Sequence, residues 1–348
     1  MEFHRVAWGC ALVLQSFCTL AHAAEILYVH NTNSGEITKI SIPQHEIIGT
    51  ISVGLYMDFV ASSPKGDVLY VNRIDSAGLS RAANVGETGE LIAISTATDE
   101  VLWRVKLDGM PHHMIASMDG RYVFVPYYDS LWLAVVDVAK REVVKKIGIG
   151  HGGHGTKLSQ DGKRLYVGSM MNDHVTIIDT DTFEILGQIP FDDGVRPFVI
   201  TKDEKTMYLQ LSRLHGFIVV DLSSRSVRRH VEMPPLPEGT EFPKFYPHNV
   251  NHGLRLTPDE KLLFANGSIG NFVAVYSHPA LELQGVIPVG SDPNSIEFSK
   301  DGRFAYVTNR KSDDLSIISV KELREIKRMK LGKLPQRMVV IDVPDGGK

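Results

Sequence analysis

From residue 24 onward, apolar residues alternate with polar ones in short runs, and turn residues interrupt those runs about every ten positions. A period of two sends successive side chains to opposite faces, so the pattern predicts short antiparallel strands. The runs also repeat. SPKGDVLYVN (63–72), SMDGRYVFVP (117–126), SQDGKRLYVG (159–168), TKDEKTMYLQ (201–210), TPDEKLLFAN (257–266) and SKDGRFAYVT (299–308) share one layout. Each has a polar turn centred on Asp-Gly or a substitute, followed by a strand carrying an aromatic. The aromatics are Tyr70, Phe124, Tyr166, Tyr208, Phe264 and Tyr306, spaced by 54, 42, 42, 56 and 42 residues. Tyr28, in EILYVHN, lies 42 residues before Tyr70 and makes a seventh, without the turn ahead of it.

Each unit continues with a second alternating run, as in HVTIIDTDTFEILGQI (174–189), FIVVDLSSRSVRRHV (217–231) and LSIISVKELREIKRM (315–329). Four strands in about 42 residues is the spacing of a propeller blade. The expected fold is therefore all-β, a seven-bladed β-propeller with four-stranded antiparallel blades. LPQRMVVIDV (334–343) reads as an inner strand with no partner after it, whereas the strand of Tyr28 lacks an inner strand before it. The two ends are expected to share one blade and close the ring, which leaves no free edge.

The YVTN of FAYVTNRKSDDLSIISV and the SxDGxxxYV turns resemble the YVTN-repeat β-propeller proteins of bacterial periplasms and surfaces. The resemblance covers essentially the whole chain after residue 23. It implies the propeller fold. It implies no single activity, because related propellers include lactonases, lyases and copper enzymes.

The turn aspartate serves as a ruler. Seven residues before each turn stand Asp58, His112, His154, Arg196, His252 and Asn294, with Gln336 at the equivalent place in the closing blade. Every member is polar, and the position starts each innermost strand, where the blades converge on a central channel. Two residues on, Val60, Met114, Thr156, Phe198, Leu254, Ile296 and Met338 are nearly all apolar and predict packing between blades. A register slip of one residue would instead turn His113, Gly155, Gly253 and Ser295 toward the axis.

Three histidines in one ring suggest a metal. Neutral imidazoles on separate strands each offer a lone pair to a shared cation, and three of them with an open position suit zinc or copper. The expected ligands are His112, His154 and His252, with copper ahead of zinc. Asp58, His113, His151 and His248 are candidates for orienting a ligand ring or holding a second ion. Arg196, Asn294 and Gln336 are candidates for holding a substrate, Arg196 an anionic one. Glycines beside His154 and His252 permit close backbone approach. A mouth lined by histidines from several blades is similar to the copper propellers nitrous-oxide reductase and thiocyanate dehydrogenase, although this chain has fewer histidines and no cupredoxin domain follows. GHGGHG (150–155) is not a phosphate loop, since no helix follows it.

Composition narrows the chemistry. Residues 1–23 combine Arg5, an apolar stretch from Val6 to Leu20 and Ala21-His22-Ala23, which reads as an export signal, leaving 24–348 as the propeller. Cys10 and Cys18 both fall inside it, so the exported chain has no thiolate nucleophile, disulfide or Cys-ligated metal. A net charge of −4 carries no basic nucleic-acid footprint, and no segment after the signal is long and apolar enough to span a membrane. The expected location is the periplasm or outside the cell, as a monomer.

Two blades carry extra residues, around 75–90 and 233–249. Both are expected on the face that bears the ring, where Arg81, Glu87, Lys244 and Tyr246 can touch a ligand. The functional expectation is a metal-assisted or redox enzyme acting on a small anionic molecule. The rival is a non-catalytic propeller that binds a ligand or a periplasmic protein. A third reading, a lactonase or lyase, needs an acid–base pair, for which Asp58 and a neighbouring histidine are the candidates.

Overall fold

The computed structural model describes residues 24–75, 88–244 and 249–343. The expected signal (1–23), Arg81 and Glu87 of the first insertion, and Tyr246 and His248 of the second lie outside the described residues. The described chain forms seven four-stranded antiparallel sheets, set as the blades of a propeller. The inner strands are Met57–Ser62, Ile115–Ala116, Gly153–Leu158, Val195–Ile200, Leu254–Leu256, Pro293–Phe298 and Pro335–Val343. The ring closes as expected. Pro335–Val343 pairs with Ala24–Asn31, with Tyr28 opposite Val339, so the two ends of the chain share a blade.

The core lies between blades. Tyr28, Tyr70, Phe124, Tyr166, Tyr208, Phe264 and Tyr306 are all buried. Phe264, for example, meets Phe298 of the next blade edge-on, with centroids 5.1 Å apart. Burying one such ring contributes about 2–3 kcal/mol, and the recurrence every blade explains the repeat. Outer strands are mostly exposed, with one buried anchor near the end, as in Ile185–Pro190, where Ile189 alone is buried. The described helix is one short 3-10 turn, Ser268–Gly270. Among the described residues no helix is long and apolar enough to cross a membrane.

The polar turns that joined the sequence motifs lie between the first and second strands. Ser117 Oγ donates to Asp119 at 2.6 Å, Ser159 to Asp161 at 2.6 Å, Thr201 to Asp203 at 2.6 Å, Thr257 to Asp259 at 2.7 Å and Ser299 to Asp301 at 2.7 Å. The next residue takes a left-handed backbone, which Gly120, Gly162 and Gly302 adopt without a Cβ clash. Glu204 and Glu260 stand there in two blades. Each compensates by accepting a backbone N–H from the preceding blade, from Gln160 at 2.7 Å and Lys202 at 2.8 Å.

A second repeated device was not read from the sequence. Each turn between third and outer strands holds a left-handed residue that is not glycine: His45, Asp99, Arg141, Phe183, Arg225, Leu281 and Leu323. A non-glycine residue there costs about 1 kcal/mol.

The inner strands carry the feature that positions the site. Gly153 faces Ser169 while Thr156 faces Val167, so one extra residue sits on the inner strand. The same shift occurs between Met57 and Phe59, Val195 and Phe198, and Pro293 and Ile296. These β-bulges twist the strand and re-aim side chains. Residues two places after the conserved-layout aromatic hold them in shape. Asn72 accepts the Phe59 N–H at 2.8 Å and donates to the His112 carbonyl of the next blade. Thr308 accepts the Ser295 N–H at 3.1 Å and donates to the Gln336 carbonyl at 2.7 Å. The threonine of YVTN thus serves the axis, the tyrosine and valine serve the core, and Asn309 donates to Asp314 and Ser316 within its own blade.

Candidate functional site

All seven members of the expected polar ring are buried: Asp58, His112, His154, Arg196, His252, Asn294 and Gln336. They form a closed centre and not an open mouth, because side chains from the neighbouring register position fill the axis. Strict alternation would send either the ring residues or their successors inward. The bulges send both. Phe59, His113, Gly155, Pro197, Gly253, Ser295 and Arg337, each one residue after a ring member, all line a single axial cavity of about 100 Å³.

Four imidazoles meet there. The His113 and His154 rings are 4.0 Å apart between centroids, His112 and His113 4.5 Å, His112 and His154 4.9 Å, and His154 and His252 5.3 Å. His112, His113 and His154 can each offer a nitrogen within 4.8 Å of the others. This compact triad holds His112 and His154 of the expected set together with His113. His112 and His113 both reach it because their stretch of chain also carries an extra residue, Pro111 facing Tyr127 while Ile115 faces Phe124, so two consecutive residues can turn to one side. His252 remains adjacent, with Nε2 3.3 Å from His154 Nε2.

Fixed partners set the protonation of the rings. His112 Nδ1 bonds to the Asp58 carboxylate, leaving the lone pair on Nε2. His252 donates Nδ1–H to the Asn294 carbonyl at 3.1 Å, so its lone pair is on Nε2. Gly253, at φ +113°, makes that contact possible: a Cβ there would stand 2.6 Å from the Asn294 oxygen and 2.5 Å from Asn266 Nδ2. His154 Nδ1 is buried and makes no hydrogen bond. Burial first, then the neighbouring imidazoles and the Arg337 and Arg196 guanidiniums, hold His113, His154 and His252 well below the ordinary imidazole value. The three rings are neutral at pH 7.

Sequence reading missed Arg337. Its Nη2 reaches His113 Nε2 at 2.6 Å and His252 Nε2 at 3.1 Å, and Nη1 donates to Asn294 Oδ1 at 2.9 Å. Its guanidinium also lies over the Phe59 ring, 5.8 Å from the centroid. The signal available was its place, one after Gln336, in the slipped column that also contains His113.

The other candidates divide. Arg196 is buried, with Nε donating to Ser212 Oγ at 2.9 Å and Nη1 directed at Met170 Sδ at 2.8 Å. Asn294 contacts Arg337 and His252 as described, and Gln336 is buried, its carbonyl accepting from Thr308. His151 is exposed and stands apart from the cluster; its N–H is held by Asn172 and its carbonyl by Ser169. Lys244, on the second insertion, is largely exposed.

The residues present fit a metal ion. Two imidazole nitrogens on one tetrahedral ion, each at about 2.05 Å, stand about 3.3 Å apart, which is the His154–His252 separation. The donor set is neutral nitrogen, as zinc and copper take. A carboxylate orients one ring, an arrangement usual beside metal-bound histidine.

Residues 56–248, more than half of the chain, match the YNCE-like beta-propeller family, and the chain belongs to it. No curated protein matches. Solved structures share the fold at low identity. The periplasmic gluconolactonase PpgL of Pseudomonas aeruginosa is 18% identical with a TM-score of 0.72, covering 92% of this chain and 100% of that one. Hydrazine synthase of Kuenenia stuttgartiensis is 18% identical with a TM-score of 0.65, covering 81% and 94%. The dihydro-heme d1 dehydrogenase NirN, in complex with DHE, is 15% identical with a TM-score of 0.60, covering 90% and 74%.

Proposed function

We propose that this YNCE-like propeller is an exported protein that holds one copper or zinc ion on His112, His113 and His154, with His252 as an alternative fourth ligand. The single observation that carries the reading is the convergence of four buried imidazoles from three blades on one point of the axis. Asp58 fixes His112 by accepting its Nδ1–H, and the Asn294 carbonyl fixes His252 in the same way. Such outer partners keep ligand rings in one tautomer. A bound ion would act as a Lewis acid or a one-electron centre on a small anionic molecule. The chain's own cations, Arg337 and Arg196, would supply the counter-charge for that anion. Export rests on the reading of residues 1–23, and the resemblance to a periplasmic gluconolactonase is compatible with it.

The test is metal content. The exported chain, purified after periplasmic expression and loaded with copper or zinc before extensive dialysis, is expected to retain one equivalent. His112→Ala with His154→Ala is expected to retain none while keeping its β-sheet circular dichroism. A wild-type chain that stays metal-free after loading with either ion overturns the proposal.

One observation favours a second reading. Arg337 already donates to His113 and His252, so the centre is held together without an ion. Under that reading the protein is a non-catalytic propeller that binds a small molecule or a periplasmic partner. Metal-free wild type that still binds a ligand would support it.

A further inference from the structure

Beyond the histidines, the same axial cavity continues to a second group of charges. Lys157, Arg255 and Glu297 lie three residues after ring members His154, His252 and Asn294, and all three line the cavity. Two positions along a strand return a side chain to the same face, so these residues extend the column that contains His113 and Arg337. Arg255 Nη2 pairs with Glu297 Oε1 at 2.5 Å. The Arg255 side chain is 35% exposed, so the cavity reaches water at this end, whereas the histidines are almost fully enclosed.

The charges do not balance. Lys157, Arg255 and Arg337 bring three cations to the cavity, and Glu297 brings one carboxylate, which Arg255 already engages. The Lys157 backbone pairs with Tyr166 in the sheet, but among the described residues its ammonium makes no hydrogen bond and no ion pair within 4 Å. A half-buried ammonium with three donors and no acceptor is a costly arrangement unless something fills it. The surroundings bear this out. Burial first, then Arg255 and Arg337, against the pull of Glu297, bring the Lys157 amine down to about 8. Gly155 and Gly253 leave the wall open, and Ser295 is on the lining beside them.

We propose that the axial cavity is a binding site for a small oxyanion, a carboxylate, phosphate or sulfate, held by Lys157 and Arg255 with Arg337 behind it. Size agrees: about 100 Å³ is the volume of roughly three waters, enough for an anion of four or five heavy atoms. Two guanidiniums and an ammonium match an oxyanion in charge and donor geometry. Glu297 limits affinity by competing for Arg255. The site does not depend on any metal being held by the histidines.

The test uses the metal-free protein, stripped with EDTA and dialysed into a low-salt buffer free of oxyanions. Sulfate, inorganic phosphate and acetate are each titrated by calorimetry. At least one is expected to bind saturably at one site. Lys157→Met is expected to weaken that binding at least about tenfold, and Arg255→Met to weaken it less, because its charge is already shared. Glu297→Gln is expected to tighten it, a gain that a misfolded variant cannot mimic. No saturable heat from any of the three anions overturns the proposal. So does Lys157→Met or Lys157→Gln binding like the wild type. Loading Lys157→Met with copper or zinc separates this proposal from the metal reading: retention of metal with loss of anion affinity is the expected result, and parallel loss of both overturns the independence of the two sites.

Discussion

The inner strands begin at the axial centre and end at the polar turns, and the two ends obey opposite rules. At the turns, a hydroxyl donates to an aspartate in Ser117–Asp119, Ser159–Asp161, Thr201–Asp203, Thr257–Asp259 and Ser299–Asp301. One solution is copied from blade to blade. At the axis, the seven ring positions hold five residue types, aspartate, histidine, arginine, asparagine and glutamine, with histidine three times, and the next position adds a further histidine and Arg337. No two adjacent blades other than those of His112 and His154 share a ring residue type. Repetition marks what every blade needs in order to fold. Departure from repetition, at the one place where all blades meet, is where the proposed binding centre lies.

Substitutions at the two ends are therefore expected to fail differently. The largest effect is predicted for Asp58→Asn, which takes the carboxylate from His112 Nδ1. Metal affinity, measured by competition with a chromogenic chelator, is expected to fall about 10–100-fold with little change in thermal unfolding. Equal affinity would separate the ring from metal binding. Next comes Gly253→Ala. Its Cβ would collide with the Asn294 carbonyl and Asn266, at a backbone angle alanine avoids, so unfolding free energy is expected to drop by about 2–3 kcal/mol. This change sits at the axis yet acts on the fold, and it bounds how far the two roles can be separated.

At the turn end, Asp119→Asn is expected to cost about 1 kcal/mol and leave metal content unchanged. Desolvation pushes the Asp119 carboxyl up, but Ser117, the Arg121 N–H and the Arg121 guanidinium overcome it and hold the group at about 2. A depressed carboxyl stabilises the fold above its unfolded value, near 4, and that stabilisation is lost as pH falls toward 2. The side chain is nearly half exposed, which limits the size of the effect. The wild type should lose more stability than Asp119→Asn between about pH 4 and pH 2, as denaturant titrations at both pH values would measure. The smallest effect is predicted for Arg141→Gly, in a left-handed turn position. It is expected to raise stability by up to about 1 kcal/mol; a decrease would show that the Arg141 side chain outweighs the backbone relief.

The same contrast explains what could be read in advance. Tyr70, Phe124, Tyr166, Tyr208, Phe264 and Tyr306 announce the blades because each fills the same gap, and the odd ends of the chain announce ring closure. Column counting from the turn aspartates brought Asp58, His112, His154, Arg196, His252, Asn294 and Gln336 together, and the structure buries all of them around the axis. Counting by twos could not find Arg337, Lys157, Arg255 and Glu297. Those residues sit on odd offsets, and the bulge that makes odd and even offsets converge leaves no mark in a single strand. Its trace is in the partner strand, at Asn72 and Thr308, whose side chains tie the bulged backbone. The left-handed turns at Asp99, Arg141 and Phe183 were hidden for a related reason: no glycine flags them.

The clasp between Pro335–Val343 and Ala24–Asn31 has a temporal consequence. Arg337 and Gln336 belong to the clasp, so a chain that has emerged from the ribosome only as far as residue 330 has every histidine but lacks the arginine that bridges them. The centre comes into being with the last stitch, after six blades have waited for it.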